Sequence, residues 1–339
     1  MSKVKIICTL GPASEGAGVL TRMMQAGMDV VRLNFSHGSL EEHLAHIQTV
    51  RQINKKYRRH IRILGDLEGY RIRIGKLKGG IPLALNKGQK VHLTAQDVEG
   101  AAGVIPFDYT GPLQGIKKGQ AIFIDDGNIA LEADGVDKNR LQAHVVVGGI
   151  LKEHKGVNMP GLKLAFKGLT AKDKVNITFC LAHGVDFIAQ SFVRDQQDIL
   201  ALKKFIGKHD HPPALIAKIE NRDGIRNIDR IMAVTDGIMI ARGDMGVSLP
   251  VYEVPMIQKA IIRKCNQAGV FVITATQMLE SMTHNRLPTR AEVSDVANAI
   301  LDGTDFVMLS AESAVGHDPV GCVAMMEHVI RFTEEAIII

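Results

Sequence analysis

The segment ALIAKIENRDGIRNIDRIMAVTDGIMIARGDMGV, residues 214–247, carries the strongest signal for the fold of this chain. ALIAKIE is a short apolar run typical of a buried strand, and it ends on Lys218 and Glu220. A helical pattern follows up to Met232, and GIMIAR then predicts a second buried strand that ends just before Asp244. The carboxyl ends of successive parallel strands lie side by side, so the lysine and the two acids should lie close together. Such a group can bind a divalent cation and a multiply charged anion; the plain alternative is a surface salt bridge beside a solvated aspartate.

Along the whole chain, eight apolar runs alternate with helical patterns and predict strands that are buried on both faces. These runs cover residues 4–10, 30–35, 61–67, 185–192, 214–220, 237–242, 270–277 and 305–310. Helix signals lie between them, including capping boxes that begin at Ser39 and Thr289. Eight such units predict an α/β fold, namely a TIM (β/α)8 barrel, with its functional groups at the C-terminal ends of the strands.

One interval departs from this alternation. Between residues 66 and 170 the sequence has short alternating strands and turn signals, and no convincing amphipathic helix. We therefore expect a small all-β domain inserted after the third barrel strand, where it could act as a lid over the catalytic face. The expected division is a first barrel segment with strands one to three (1–69), the inserted β domain (70–167) and a second barrel segment with strands four to eight (168–339).

Composition excludes several classes of protein. The net charge is only +5, and no basic run is interleaved with aromatic residues, so nucleic acid is not an expected partner. No apolar run reaches about 18 residues and the N-terminus lacks a signal-peptide pattern, so we expect neither a membrane span nor secretion. The four cysteines are far apart without CxxC spacing, which favours reduced thiols in a cytoplasmic protein.

Charged and hydroxyl side chains collect at the predicted strand ends. They are Arg32, Asn34, Ser36, Asp66, Arg71, Arg73, Ser191, Lys218, Glu220, Asp244, Thr276, Gln277, Ser310 and Glu312. Glu220 and Asp244 suit Mg²⁺, while Lys218 and Arg32 can neutralise a phosphoryl group during its transfer. Backbone N–H groups of residues 242–246 suit a carboxylate. Each has a plain alternative: Arg32 could form a salt bridge with Asp66, and strand-end Thr and Ser residues are often turn or cap residues.

Several long segments resemble pyruvate kinase, in the family's order and over essentially the whole chain. They are KIICTLGPAS (5–14), RLNFSHG (32–38), KGVNMPG (155–161), DFIAQSFVR (186–194), AKIENRDGIRNID (217–229), DGIMIARGDMGV (236–247), CNQAGVFVITATQMLESM (265–282) and PTRAEVSDVANAILDGTD (288–305). The resemblance implies an enzyme that transfers the phosphoryl group of phosphoenolpyruvate to ADP, giving pyruvate and ATP in glycolysis. The identity of the substrates comes from this resemblance alone.

The resemblance also implies roles for matching residues. Lys218 would contact the phosphoryl group and stabilise the enolate, and Arg32 and Arg73 would bind phosphate. Glu220 and Asp244 would bind Mg²⁺, with Mn²⁺ as an alternative. The remaining roles form a longer set: the substrate carboxylate at Ala241, Gly243, Asp244, Thr276 and Ser191; the proton path at Thr276 and Ser310; and the nucleotide at Asn34, His37, Pro12 and Arg32.

The third-strand motif departs from the family pattern. Members that use K⁺ read DTKGPEIRTG, whereas this chain has DLEGYRIRIG at residues 66–75. Leu67 replaces the threonine that supplies a K⁺ ligand, and Arg71 replaces a glutamate. We expect that K⁺ is not required, that Arg71 supplies the missing positive charge, and that Asn34, Ser36 and Asp66 are the remnant of the K⁺ site. The alternative is a decayed site, which Glu68 and Tyr70 leave open.

The family's C-terminal regulatory domain has no counterpart in this sequence, so we expect hyperbolic kinetics without effector control. A dimer, a tetramer or a monomer is left open. Two other functions are weighed: a Mg²⁺-dependent lyase or aldolase that forms a pyruvate enolate on the same barrel, and a catalytically inactive paralogue that senses phosphoenolpyruvate or nucleotide. Lys218 together with the inserted β domain argues against the lyase, and the joint presence of Lys218, Glu220, Asp244 and Thr276 argues against the sensor.

Overall fold

The computed structural model describes residues 2–109, 111–125, 127–162 and 168–337 of the 339-residue chain. The strands, in chain order, are β1 Lys5–Thr9, β2 Met28–Asn34, β3 Arg62–Asp66, β4 Ile72–Arg73, β5 Leu83–Leu85, β6 Lys90–Thr94, β7 Val104–Pro106, β8 Ala121–Ile124, β9 Ile129–Asp137, β10 Arg140–Val147, β11 Gly149–Leu151, β12 Gly156–Asn158, β13 Phe187–Gln190, β14 Ala214–Ile219, β15 Gly237–Ala241, β16 Phe271–Ala275 and β17 Phe306–Leu309. The α-helices are α1 Ala17–Ala26, α2 Leu40–Tyr57, α3 Ala171–Ala182, α4 Gln196–Ile206, α5 Arg222–Arg226, α6 Ile228–Met232, α7 Arg242–Ser248, α8 Val254–Ala268, α9 Arg290–Asp302, α10 Ala311–Ala314 and α11 Pro319–Ile337.

Strands β1, β2, β3 and β13 to β17 form a closed barrel of parallel strands. All eight predicted barrel strands are present, so the TIM-barrel fold and the all-β insertion after its third strand are confirmed. The chain divides into two compact units. The barrel unit is Met1–Gly69, Gly168–Gly243 and Tyr252–Ile339, and the second unit is Tyr70–Lys167 with Asp244–Val251.

The barrel interior is filled by apolar side chains from alternating strand positions. This core consists of Ile7, Val30, Leu64, Phe187, Ala189, Ile216, Met239, Ile273, Ala275, Phe306 and Met308. Phe187, Phe271 and Phe306 pack edge to face with ring centroids 5.6–6.3 Å apart. The Arg62 guanidinium lies 4.9 Å from the Phe187 ring centroid, in cation–π geometry. The interior is thus a packed core, which leaves the strand ends to carry chemistry.

A repeated aspartate contact joins neighbouring barrel strands. At the start of the second, fourth, sixth and eighth barrel strands, an aspartate carboxylate accepts a hydrogen bond from a backbone N–H of the preceding strand. The pairs are Asp29 with Ile6 (3.0 Å), Asp186 with Ile63 (2.7 Å), Asp236 with Leu215 (2.7 Å) and Asp305 with Val272 (2.8 Å). Each contact satisfies a donor at the N-terminal end of a strand and helps to set the strand register.

The helices begin where the sequence predicts. Ser39 and Thr289 form capping boxes with Glu42 and Glu292, so each helix gains two reciprocal hydrogen bonds at its first turn. One prediction needs correction: the helical pattern after Glu220 forms two short helices, α5 and α6. They are separated at Asn227, whose side chain donates a hydrogen bond to the Arg194 carbonyl. Among the described helices, none is long and apolar enough to cross a membrane.

The second unit has its own core, built on mainly antiparallel strands; only β6 and β7 of its described strands pair in parallel. Its main sheet has the strand order β4-β12-β8-β9-β10-β6-β7, and β11 pairs with β5 in a separate two-stranded sheet. Buried residues from both sheets form one cluster that includes Ile74, Leu93, Ile122 and Leu141. In the described part of residues 66–170 the helical pieces are short 3-10 turns, as the alternating pattern predicts.

The four cysteines are free and buried. Burial raises the pKa of the Cys180, Cys265 and Cys322 thiols to about 12, and the pKa of Cys8 lies well above its ordinary value for the same reason. Neutral buried thiols are poor nucleophiles, so these cysteines belong to the core rather than to a reactive site.

Candidate active site

The Lys218 ammonium lies among three oxygen groups at the C-terminal ends of neighbouring barrel strands. Its Nζ is 3.1 Å from Asp66 Oδ1 and 3.2 Å from Glu220 Oε1, and it donates to Ser191 Oγ at 2.7 Å. Lys218 is 8% exposed and both carboxylates are buried. Charges are rarely buried without partners, and this cluster satisfies each charge with an opposite one. The lysine is therefore held in a fixed position, away from the solvent that would screen a surface salt bridge.

A second cation, Arg32, shares the Asp66 carboxylate. Arg32 Nε and Nη2 lie 2.8 Å and 2.7 Å from Asp66 Oδ2, and Nη1 donates to Thr9 Oγ1 at 2.9 Å. The salt bridge that the sequence left open for Arg32 is thus present. Burial alone would raise the pKa of Asp66, but Lys218 and Arg32, by charge and hydrogen bonding, hold it below its ordinary value. Asp66 therefore stays ionised and orients two cations at once.

Glu220 is fixed from its other side. Its Oε2 accepts a hydrogen bond from the backbone N–H of Phe192 at 2.7 Å, and its side chain is fully buried. Phe192 has a φ of +55°, a left-handed conformation that is uncommon for an aromatic residue. This turn after β13 aims its N–H at the carboxylate, so backbone geometry as well as charge determines where Glu220 points.

The ends of β15 and β16 are joined by a hydrogen bond. The Gly243 N–H donates to Thr276 Oγ1 at 2.8 Å, and that hydroxyl lies 2.7 Å from the Ala275 carbonyl, to which it donates. Ala241 is the last residue of β15, and Gly243 follows it in the first turn of α7. A hydroxyl and a backbone N–H thus lie together at neighbouring strand ends, as the sequence predicts.

Ser310 and Glu312 follow the eighth barrel strand. Glu312 is fully buried, and its two carboxylate oxygens accept from the backbone N–H groups of Ser310 at 2.7 Å and Leu279 at 3.1 Å. Glu312 thus joins the loop after β16 to the residue that follows β17, and the buried Ser310 hydroxyl has no hydrogen-bond partner among the described residues.

Three predicted site residues lie in the second unit. Asp244 is grouped with that unit, and its Oδ1 is 3.5 Å from Arg71 Nη1. The Arg73 N–H donates to Asp108 Oδ1 at 2.6 Å and its Nη1 donates to the His154 carbonyl at 2.8 Å. Glu220 belongs to the barrel unit. A joint metal site of Glu220 and Asp244 therefore stays a prediction.

Comparison with known proteins gives a consistent result. The family described as pyruvate kinase, barrel domain, matches residues 1–323. A pyruvate kinase of Thermococcus litoralis is 49% identical over 98% of this chain and 70% of its own length. One of Geobacillus stearothermophilus is 47% identical over 99% of this chain and 57% of its own length. The crystal structure of a pyruvate kinase from Cryptosporidium parvum superposes with a TM-score of 0.93 at 38% identity, covering 98% of this chain and 70% of that one.

The chain belongs to the pyruvate kinase family. It spans 57–58% of the length of several of the bacterial pyruvate kinases that it matches. The activity of those longer proteins is therefore only proposed for this chain.

The nucleotide position that the resemblance implies, near the loops after β1 and β2, stays a prediction. Pro12 and His37 are exposed on these loops, and Asn34 ends β2, opposite Asp66 in the strand register. The Asn34 side chain accepts from the Ser36 N–H at 3.2 Å. The positions expected to be a K⁺ remnant are therefore near one another along two paired strands.

Sequence reasoning missed other residues that contact this candidate site. Thr9 ends β1 and contacts Arg32, so the strand-end rule could have found it. Phe192 gave no signal, because its contribution is a backbone N–H. Arg242 was assigned to the end of the sixth barrel strand, whereas it begins α7, and its side chain turns toward the loop after β16.

Proposed function

We propose that this chain transfers the phosphoryl group of phosphoenolpyruvate to ADP, giving pyruvate and ATP. The observation that carries the proposal is the buried Lys218 ammonium, held between Asp66 and Glu220 at the C-terminal rim of a pyruvate-kinase-family barrel. Phosphoryl transfer depends mainly on positioning and on stabilising charge, and a fixed cation does both. Lys218 would contact the phosphoryl group in flight and stabilise the enolate that it leaves.

Arg32 and Arg73 are proposed to bind phosphate oxygens. Arg32 is already oriented by the contacts of its Nε and Nη2 with Asp66 Oδ2, so little side-chain freedom remains to be lost when an anion binds. Arg73 contributes from the second unit, and the lid role of that unit stays a prediction. Pro12, Asn34 and His37 are proposed to contact the nucleotide.

Glu220 and Asp244 are proposed to hold Mg²⁺, with Mn²⁺ as an alternative. Within the described ranges there is no cluster of three or more His, Cys, Asp or Glu side chains that could hold a metal. Two hard carboxylate ligands nevertheless fit Mg²⁺, which commonly takes one or two carboxylates together with water and substrate oxygens. When bound, the ion supplies positive charge that offsets the negative charge of phosphoryl and enolate oxygens.

The substrate carboxylate is proposed to bind at the end of β15, at Ala241, Gly243 and Asp244, with the Thr276 and Ser191 hydroxyls nearby. The Gly243 N–H and the Thr276 hydroxyl already face each other at 2.8 Å. Thr276 and Ser310 are also proposed to carry the proton that converts the enolate to pyruvate. The buried Ser310 hydroxyl, which has no hydrogen-bond partner among the described residues, supports this role.

Arg71 is proposed to supply the charge that K⁺ supplies in other members. Its guanidinium lies 3.5 Å from the Asp244 carboxylate, and the Leu67 side chain has no oxygen that could serve as a ligand. A fixed cation beside a carboxylate can replace a bound monovalent ion electrostatically. Turnover should therefore not depend on K⁺. The decayed-site alternative predicts low turnover in either salt.

The test is formation of ATP and pyruvate from phosphoenolpyruvate and ADP with Mg²⁺, in K⁺ and in a K⁺-free buffer, beside Lys218→Met. Equal turnover in both salts, lost in the variant, would support the kinase and the Arg71 role together. A many-fold rise with K⁺ would keep the kinase and overturn the Arg71 role. Binding of phosphoenolpyruvate without transfer would favour a sensor, and cleavage of a 2-keto acid would favour a lyase.

A further inference from the structure

The turn after β16 has an unusual backbone. Thr276 and Gln277 are consecutive non-glycine residues with φ values of +68° and +54°. Such left-handed conformations are unfavourable for side chains of this size, and they persist only where surrounding contacts determine them. Because Thr276 carries a proposed substrate-binding hydroxyl, the contacts that hold this turn bear directly on the site.

Arg242 supplies most of those contacts. Its Nη2 donates to the Thr276 carbonyl at 2.6 Å and to the Gln277 carbonyl at 3.0 Å, and its Nε reaches the Thr276 carbonyl at 3.2 Å. The side chain is 9% exposed; its hydrogen bonds to the Thr276 carbonyl are partly buried, and the one to the Gln277 carbonyl is exposed. A guanidinium offers five donors in a planar fork, which is why one side chain can bind two successive carbonyls.

The other edge of the guanidinium is anchored outside the turn. Arg242 Nη1 lies 2.5 Å from Asp295 Oδ2 on α9 and 3.3 Å from Gln258 Oε1 on α8. The Asp295 side chain is 37% exposed, so the anchor lies close to the barrel surface. The turn is therefore linked through one arginine to two helices of the barrel unit.

The same segment of chain also meets the Thr276 hydroxyl directly. The Gly243 N–H, which follows Arg242, donates to Thr276 Oγ1 at 2.8 Å. A Cβ at position 243 would lie 3.4 Å from that oxygen, so the backbone approaches Thr276 closely. Arg242 thus fixes the Thr276 main chain while its neighbour fixes the Thr276 side chain.

We propose that Arg242, anchored by Asp295, is a positioning residue for the carboxylate-binding pair formed by the Gly243 N–H and the Thr276 hydroxyl. It acts through the turn and does not touch the substrate. This inference rests on the proposed function, because it assumes that the pair binds the carboxylate of phosphoenolpyruvate. Arg242 should therefore control the affinity for that substrate and leave the affinity for ADP unchanged.

The test uses Arg242→Lys and Asp295→Asn, with Lys259→Met as a matched control. Lys259 binds both oxygens of Asp302 at 2.6 Å and 2.8 Å, so the control also removes an ion pair to α9, but it has no contact with the turn. Lysine keeps the charge of Arg242 but cannot reach both carbonyls and Asp295 together. Circular dichroism and thermal unfolding establish that each variant is folded.

We expect Arg242→Lys to lower kcat/KM for phosphoenolpyruvate by about 10- to 100-fold, the range that misplacement of a binding group by about 1 Å can cause. The KM for ADP should stay within about twofold of the parent value, because the variant weakens the binding of phosphoenolpyruvate only. Asp295→Asn should also lower kcat/KM for phosphoenolpyruvate and leave the KM for ADP unchanged, but with a smaller effect. Lys259→Met should match the parent in both quantities. Equal changes in KM for both substrates, or no difference from Lys259→Met, would overturn the proposal.

Direct binding separates this inference from the proposed function. Calorimetric titration with pyruvate and Mg²⁺ measures carboxylate binding without turnover. If the parent binds pyruvate but forms no ATP, the proposed function fails, and the positioning role is still judged by whether Arg242→Lys weakens pyruvate binding at least tenfold. Unchanged pyruvate affinity in Arg242→Lys, or no pyruvate binding by the parent, would overturn the positioning role.

Discussion

Replacing Asp66 by Asn removes the negative charge that two buried cations share. The side chain keeps its shape and one oxygen acceptor, so the change is mainly electrostatic. Arg32 and Lys218 would then lie close together in the barrel without a common counter-ion. We expect a large loss of stability in the barrel unit.

The magnitude follows from the two contacts. At an effective dielectric constant of about 20, charges 2.7 Å and 3.1 Å apart attract by roughly 6 and 5 kcal/mol. Desolvation of three buried ions offsets most of this attraction, and breaking a buried pair by removing one partner typically costs about 3–5 kcal/mol. For a domain of this size class each kcal/mol lowers Tm by roughly 2–4 °C, so Tm should fall by about 6–20 °C.

The stability lost in Asp66→Asn should depend on pH, and it should be smaller in acid. The pKa of Asp66 is lowered in the folded protein, so its contribution is fully present above the unfolded-state value of about 3.9. That contribution is lost as the pH falls through the lower folded-state pKa. The difference in stability between parent and Asp66→Asn should therefore be constant from pH 7 to pH 5 and should narrow below about pH 4.

The assay is thermal and urea unfolding followed by far-UV circular dichroism, since the chain has no tryptophan. Asp229→Asn is the control, because Asp229 pairs with Lys264 at 2.6 Å but its side chain is 68% exposed. An exposed pair contributes at most about 1 kcal/mol, so this variant should unfold nearly as the parent does. The reasoning is refuted if both variants lose the same stability, or if the Asp66→Asn difference does not narrow in acid.

Three further substitutions test packing, backbone freedom and hydrogen bonding in the barrel. A Cβ at Gly237 would overlap the Phe271 ring, so Gly237→Ala should destabilise the protein by about 1–3 kcal/mol. Gly18 lies in open space on α1, so Gly18→Ala should stabilise the protein by about 0.5–1 kcal/mol. Equal urea midpoints for the two variants would contradict this prediction. Glu312→Gln leaves one of two backbone N–H donors without an acceptor, so it should lower the free energy of unfolding by about 1–3 kcal/mol. The same urea assay measures this loss. An unchanged midpoint would show that the loop does not need both contacts.

The barrel could be predicted from the sequence because its strands are buried on both faces. Runs such as ALIAKIE and GIMIAR are almost uniformly apolar, and capping boxes mark the helices between them. The error after Glu220 has a local cause. The apolar spacing continues across Asn227, but the Asn227 side chain binds the carbonyl of Arg194, a residue distant in sequence, and the helix is interrupted there.

The charged groups of the site were predictable for a related reason. Lys218 and Arg32 lie near the C-terminal ends of apolar strands and Glu220 directly follows one, and the fold brings strand ends together. Contacts that depend on backbone direction were not predictable. The N–H of Phe192 and the left-handed turn at Thr276 and Gln277 are set by tertiary contacts, and no residue type in the sequence announces them.

Arg242 shows most clearly which contacts could not be predicted from the sequence. Its position at the end of an apolar run suggested a strand residue, and only its backbone N–H was predicted to have a role. The structure turns its guanidinium away from that strand, toward two carbonyls and Asp295. Only the path of the loop after β16 determines this direction.

The central claim is that the Lys218 site moves a phosphoryl group from phosphoenolpyruvate to ADP. The most direct measurement follows the phosphorus resonances of both compounds by NMR after the parent protein and Mg²⁺ are added, with folded Lys218→Met in a parallel sample. We expect loss of the phosphoenolpyruvate signal to be matched by appearance of the γ-phosphate of ATP, and no change with the variant. Release of inorganic phosphate without ATP, or equal transfer by Lys218→Met, would contradict the claim.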